Sequence, residues 1–263
     1  MSFKFNAHRL EDRVAVITAG TQGIGLAIAE RLGHEGAKLV VSSRKQKNVD
    51  EAVEYLVKSG LDEKKVAGIT CHIGNAEDRD KLLQFALDKF YRIDILINNA
   101  GINPYYGDLM GISEEAWDKT FDLNCKAAFV LTQKVAPIMA KTGGGNIIFN
   151  ASIGAYKPHP KLAVYGVTKT VLLAMTKAFA QGLAPMNIRV NCVAPGVIET
   201  RFSQAIWDPK VKKPELSEEA KNDMGRNGSP HEVASAVAYL VSDDASYVTG
   251  ETHVVSGGVG ARL

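Results

Sequence analysis

The sequence predicts an α/β protein: one doubly wound parallel sheet of about seven strands with helices on both faces. Three observations carry this expectation. Short β-branched apolar runs recur along the chain, stretches with helical apolar spacing separate them, and the runs lack the alternation of a sheet with one wet face. No internal repeat, low-complexity tract or linker interrupts the 263 residues, so 1–263 is expected to be a single domain.

Arg13 to Thr18 reads as the first strand and Gly23 to His34 as the helix after it. Lys38 to Ser42 is strand two, Asn48 to Ser59 a helix, Val66 to Cys71 strand three, and Glu77 to Phe90 a helix. Ile93 to Ile97 is strand four. Glu114 to Ala140 is a long helical stretch that Pro137, with no N–H to give, is expected to bend or cut near its end. Asn146 to Asn150 is strand five, Val164 to Leu183 a helix, Ile188 to Val193 strand six, His231 to Val241 a helix, and Thr252 to Val255 a short last strand. The connection Pro195 to Pro230 is long for a compact domain and carries Phe202, Ile206, Trp207 and Met224. It is expected to form a substrate lid at about 197–228, the plainer reading being a helical surface insertion.

Composition narrows the function classes. A net charge of +2 gives no case for nucleic acid or a membrane surface as partner. No continuous apolar run approaches the ~18 residues of a membrane span, and Met1 to Leu10 lacks the apolar core of a secretory signal. Cys71, Cys125 and Cys192 are an odd number and widely spaced, which argues for buried thiols in a reducing compartment. The six histidines show no ligand spacing, so no metal is expected.

Two stretches carry chemistry. Thr18-Ala19-Gly20-Thr21-Gln22-Gly23-Ile24-Gly25 joins a strand to a helix through small residues. Such a turn lets a pyrophosphate approach free helix N–H groups, a Rossmann-type dinucleotide site, although glycines also make plain tight turns. Tyr165 and Lys169 stand four apart, hence on one helical face, with Ser152 upstream. An ammonium beside a phenol favours the phenolate and tunes the tyrosine as a general acid/base. The pair alone equally describes an amphipathic helix with a solvated lysine.

Together with Asn98-Asn99-Ala100-Gly101, Asn124, Ser152 and Pro195-Gly196-Val197-Ile198-Glu199-Thr200, these residues resemble the short-chain dehydrogenase/reductase (SDR) superfamily over essentially the full length. The resemblance implies a catalytic set of Ser152, Tyr165, Lys169 and Asn124. Tyr165 gives a proton to a carbonyl oxygen while a nicotinamide delivers hydride to its carbon. Ser152 hydrogen-bonds that oxygen, Lys169 lowers the tyrosine pKa and holds the nicotinamide ribose, and Asn124 anchors a water leading from Lys169 to solvent. It also implies cofactor contacts from Ala19, Gly20, Thr21, Gly23, Ile24 and Gly25, from Asn99, Ala100 and Gly101 beside strand four, and from Pro195, Gly196, Val197, Ile198 and Thr200 at the nicotinamide. A serine hydrolase is the competitor for Ser152, but Asn150-Ala151-Ser152 lacks the glycine two residues ahead that a nucleophile elbow wants.

Three departures from the family pattern are informative. Ala19 replaces the first glycine of the turn, so its backbone is expected at an angle open to alanine. His72-Ile73 stands where an aspartate often meets adenine, which puts a direct contact there in doubt. Ser43-Arg44-Lys45 replaces the carboxylate that accepts from the ribose 2′-OH in NAD enzymes. Arg44 as a bidentate clamp and Ser43 as a hydroxyl donor point to a 2′-phosphate, hence NADP(H); the bland alternative is a solvated basic turn.

The substrate pocket is expected from Ile153 to Leu162, Asn103 to Asp108 and the lid, with Tyr105, Tyr106, Tyr156, Phe202, Ile206 and Trp207 making it apolar. His159 is either a polar substrate contact or simply exposed. This suits a small hydrophobic carbonyl substrate reduced by NADPH. Ala261-Arg262-Leu263 resembles a small-basic-leucine peroxisomal address, for which an import receptor is the expected partner, with the cytoplasm as the alternative location. With Ser42 to Gln46 and Lys157 to Pro160, it makes the chain similar to the peroxisomal NADPH-dependent carbonyl and retinal reductases of dehydrogenase/reductase family member four, which are typically homotetramers. A 3-oxoacyl thioester reductase shares the same catalytic set, and a non-enzymatic scaffold of this fold would usually have lost part of it.

Overall fold

A computed structural model describes residues 8–208, 210–211 and 222–259. Much of the expected lid and the tripeptide Ala261, Arg262, Leu263 lie outside the described residues. Seven strands form one parallel sheet: β1 Val14–Ile17, β2 Lys38–Ser43, β3 Val66–Thr70, β4 Ile95–Asn98, β5 Gly145–Asn150, β6 Ile188–Pro195 and β7 Thr252–Val255, in the order β3-β2-β1-β4-β5-β6-β7. Strands β1, β4 and β5 are almost wholly buried because helices cover both faces. Strand order reverses between β1 and β4, and in such sheets the crevice at the carboxyl ends there receives ligands.

The helices are α1 Gly23–His34, α2 Gln46–Lys58, α3 Ala76–Phe90, α4 Glu114–Phe121, α5 Ala127–Lys141, α6 Ala163–Leu183, the short α7 Gln204–Trp207 and α8 Pro230–Val241. Two apolar layers result. Ile28, Leu32, Val237 and Val241 pack from α1 and α8 on one face of the sheet, and Leu82, Leu131, Val135 and Leu172 from α3, α5 and α6 on the other. Each fully buried Leu or Ile of this kind contributes about 2 kcal/mol. Local signals set the boundaries: Asn75 caps α3 by accepting from Asp78 N–H, and Ser229 with Glu232 forms a capping box that opens α8.

The long helical stretch behaves differently from expectation. Pro137 sits inside α5 on an exposed position, where the carbonyl it cannot satisfy turns to water, and the helix runs through it. The interruption is instead a wide π-turn over Asp122–Lys126, which separates α4 from α5 and carries Asn124.

Candidate active site

The carboxyl edge of the sheet bounds a cleft of about 1210 Å³. Its floor is laced by side chains at three strand ends. Thr18 Oγ1 donates to Ile97 O at 3.1 Å and accepts from the Asn99 and Ala100 N–H groups at 3.0 and 3.1 Å. Asn99 Nδ2 donates to the Thr18 and Ala19 carbonyls at 3.0 and 3.1 Å, and Asn150 Nδ2 donates to Asn99 Oδ1 at 2.8 Å. The ends of β1, β4 and β5 therefore move as one body.

The small-residue turn fits a dinucleotide phosphate. A Cβ on Gly25 would lie 2.4 Å from Ala19 O and 2.5 Å from Asn99 Nδ2, so only glycine lets α1 start this close to the lacing. The first turn of α1 holds no acid and Gln22 makes no capping bond, which leaves its N–H groups free for an anion. Ala19 corrects an expectation: its φ is +49°, in the left-handed region, because its carbonyl is held by Asn99. An alanine there carries roughly 1–2 kcal/mol of strain.

At the end of β2, Ser43 and Arg44 line the cleft, and Arg44 has no hydrogen-bond or ion-pair partner among the described residues. Helix α2 begins beside it with no acid in its first turn and no side-chain cap. Three expected cofactor contacts are not among the lining residues. Gly20 gives its N–H to Ser42 O at 3.0 Å and packs on Ile17, Lys45 is the exposed cap residue of α2, and exposed His72 gives its N–H to Asp78 Oδ2 at 2.8 Å. Cys71 and Ile73 form that wall instead. Thr21, Gly23, Ile24, Gly25, Asn99, Ala100, Gly101 and the run from Pro195 to Ile198 with Thr200 all line the cleft as expected.

The residues expected to handle the proton meet beyond β5. Ser152 accepts the Gly154 N–H at 3.1 Å, and its hydroxyl lies near enough to the Tyr165 phenol to favour the phenolate. Burial pushes that phenol up to about 12, with the Ser152 hydroxyl pulling the other way. Lys169, 3% exposed, is brought down to about 8 by burial. Its Nζ donates to Asn150 O at 2.7 Å and lies 5.5 Å from the centroid of the Tyr165 ring. The phenol thus stands above its ordinary value and not below it: desolvation sets the direction, and the ammonium is bonded to a carbonyl.

Asn124 does not line the cleft. Its Oδ1 accepts the Ile102 N–H at 2.8 Å, while Nδ2 donates to Ile102 O and Thr168 Oγ1, each at 3.0 Å. Thr168 Oγ1 donates in turn to Tyr165 O at 2.7 Å. The π-turn thus ties the wall after β4 to the turn of α6 that bears both Tyr165 and Lys169.

The described part of the connection after β6 lines one side. Thr200 Cγ2 stands 3.1 Å from where a Gly23 Cβ would be, and Trp207 Nε1 donates to Thr200 O at 3.1 Å. Phe202 packs on Tyr165 with centroids 5.8 Å apart. Of the aromatics expected in the pocket, Tyr106 and Phe202 line it, with Ile206. Tyr105, Tyr156 and Trp207 do not: the Tyr105 hydroxyl donates to Asp108 O at 2.8 Å, and Trp207 is spent on Thr200. His159 lines the cleft, and its Nδ1 accepts the Lys161 N–H at 3.0 Å.

One residue of the site escaped sequence reasoning, Asn150, whose one signal is a polar side chain at the carboxyl end of β5. All three cysteines are free and buried, with thiols raised to about 12, 11 and 11 for Cys71, Cys125 and Cys192 mainly by desolvation. Among the described residues no three His, Cys, Asp or Glu converge as a metal site. One helical stretch, Pro160–Met186, has the length and mean hydropathy, 1.2, of a membrane span. It packs on β6 and buries Lys169, as a core helix does.

Comparison with known proteins agrees with this geometry. A family model described as Enoyl-(Acyl carrier protein) reductase matches residues 18–260. The chain is 54% identical over 259 residues to Dehydrogenase/reductase SDR family member 4 of Caenorhabditis elegans, covering 98% of this chain and 99% of that one. It is 49% identical over 254 residues to the protein of the same name from Homo sapiens, covering 97% and 90%. A 7α-hydroxysteroid dehydrogenase complexed with NADH and 7-oxo glycochenodeoxycholic acid superposes with a TM-score of 0.89 at 30% identity, covering 99% of this chain and 100% of that one. A 3-ketoacyl-(acyl-carrier-protein) reductase from Brucella melitensis complexed with NADH gives 0.85 at 31%, covering 95% and 98%.

Proposed function

The chain belongs to the short-chain dehydrogenase/reductase family, and from that premise we propose that it reduces hydrophobic ketones, α-dicarbonyls and aldehydes, retinal among them, with NADPH. The observation that carries the reading is the convergence of Ser152, Tyr165 and Lys169 on the lining of one cleft, with Phe202 packed on the same tyrosine. NADPH, when bound, supplies the hydride. Ser152 and Tyr165 receive the carbonyl oxygen, and a phenol whose pKa burial raises is protonated at neutral pH, ready to give its proton to that oxygen. Lys169 keeps its donors beside the sugar-facing wall at Gly101, where a Cβ would lie 3.3 Å from Nζ. Asn124 holds that wall against α6 and, in this reading, anchors the water that replenishes the proton.

NADPH over NADH rests on Arg44. It lines the cleft with no side-chain partner among the described residues, and no aspartate or glutamate lies at the end of β2 to accept from a 2′-OH. The neighbours complexed with NADH make the comparison with NADH necessary. Following NADPH oxidation with a panel of diketones, aryl ketones and retinal tests the function; no turnover of any of them would sink it and revive a scaffold role. A second reading, reduction of 3-oxoacyl thioesters, draws support from the 3-ketoacyl reductase neighbour. Side-by-side turnover of a diketone and an acyl thioester separates the two.

Assembly as a homotetramer is part of the proposal. Exposed Phe129 on α5 lies tilted against Phe179 of α6, with centroids 5.2 Å apart, and Val167 on α6 is also exposed, apolar surface that a second copy would cover. Light scattering should give four chains, and Phe129→Glu a smaller particle. Peroxisomal import through Ala261, Arg262 and Leu263 is proposed from their sequence. A tagged chain with this end free that stays in the cytosol would contradict it.

A further inference from the structure

The charge of the cleft is one-sided. Among the described residues no aspartate or glutamate lines it, whereas Arg44, Lys157, Lys169 and Arg201 do. Lys169 is committed to the carbonyl of Asn150. Arg44 follows β2, while Lys157 and Arg201 follow β5 and β6. With strands about 4.8 Å apart, β2 stands roughly 14 Å from β5 and 19 Å from β6, so a 2′-phosphate held by Arg44 is out of reach of the other two cations. Both are exposed, and neither side chain has a hydrogen-bond or ion-pair partner among the described residues.

These two cations flank the apolar part of the pocket. Lys157 belongs to the segment after Ser152, and Arg201 precedes Phe202, whose ring packs on Tyr165. Tyr106 and Ile206 complete the apolar lining. We propose that Lys157 and Arg201 form an anion-accepting rim on the substrate side, so that the preferred substrates are apolar ketones bearing a carboxylate on a short tether. The inference rests on the carbonyl-reductase reading and specifies its substrate class. An uncharged ketone uses the apolar floor alone; an anionic one also meets two cations, with no acid among the described lining residues. Each partly exposed pair changes binding by about threefold, since surface ion pairs are worth up to ~1 kcal/mol.

The test uses two ketones with the same reacting carbonyl, benzoylbutyrate and its methyl ester, with NADPH and the full chain. Wild type should show a KM for the acid about tenfold below that for the ester, an advantage that shrinks as salt is raised. Lys157→Gln with Arg201→Gln should raise the KM of the acid about tenfold, leaving the ester and the Kd of NADPH unchanged. The double replacement by Glu should favour the ester. An acid-to-ester ratio that the substitutions do not move, or a weaker NADPH Kd in place of the substrate effect, overturns the inference while ester turnover keeps the reductase reading intact. Turnover of neither compound, nor of any other carbonyl, removes both.

Discussion

Lys169 points its ammonium at the carbonyl oxygen of Asn150, 2.7 Å away, and not at the phenol of Tyr165 four residues earlier on the same helix. Asn150 in turn holds Asn99, which holds the carbonyls of Thr18 and Ala19. Lys169 and the turn that opens α1 are therefore two ends of one hydrogen-bonded frame across three strands.

Burial of this lysine makes stability depend on pH in a definite direction. Its pKa falls from an ordinary 10.5 to about 8 on folding, so between those values the unfolded chain binds more protons and stability rises with pH. The charged lysine costs the fold about 3 kcal/mol at neutral pH. Thermal unfolding of wild type and Lys169→Met from pH 7 to 10 should show a rising component in wild type that the variant lacks. Parallel curves would mean the lysine is not desolvated as described.

Arg44 should discriminate between the two nicotinamide cofactors. Replacing it with Asp removes a charge-assisted contact worth about 2–3 kcal/mol, on the order of 30–100-fold in Kd. Fluorescence titration should show that loss for NADPH and little change for NADH. Equal weakening of both would reassign Arg44 to the pyrophosphate.

The turn makes opposite predictions at two neighbouring positions. Ala19→Gly relieves a left-handed alanine and should stabilise the protein by about 1 kcal/mol, or 2–4 °C in Tm for a domain of this size. Gly25→Ala drives a Cβ to 2.4 Å from Ala19 O, and should loosen the turn and weaken NADPH binding at least tenfold. An Ala19→Gly protein that melts lower would show that the strain assigned to this residue is absent.

Strand apolarity and helix periodicity made the sheet legible, because a strand covered on both faces has little choice but Val, Ile, Leu and Ala. Gly23 to His34 and Thr252 to Val255 fall where their patterns place them. The π-turn was not legible: its register shift serves the buried contacts of Asn124 with Ile102 and Thr168, which come from distant segments and leave no local mark. Burial likewise decides the titration of Tyr165, whereas sequence offered only its neighbour at i+4. The lining aromatics divided for a similar reason. Tyr105 and Trp207 are spent on backbone carbonyls, a choice that depends on loop geometry and not on residue type.

The most direct measurement is carbonyl reduction by Tyr165→Phe beside its NADPH affinity. Removing one hydroxyl should leave the Kd of NADPH near wild type, because the phosphate turn and Arg44 are untouched, and lower kcat at least a thousandfold, consistent with loss of a positioned general acid together with its hydrogen bond to the carbonyl oxygen. Turnover within tenfold of wild type would contradict the account, since the proton would then come from another group.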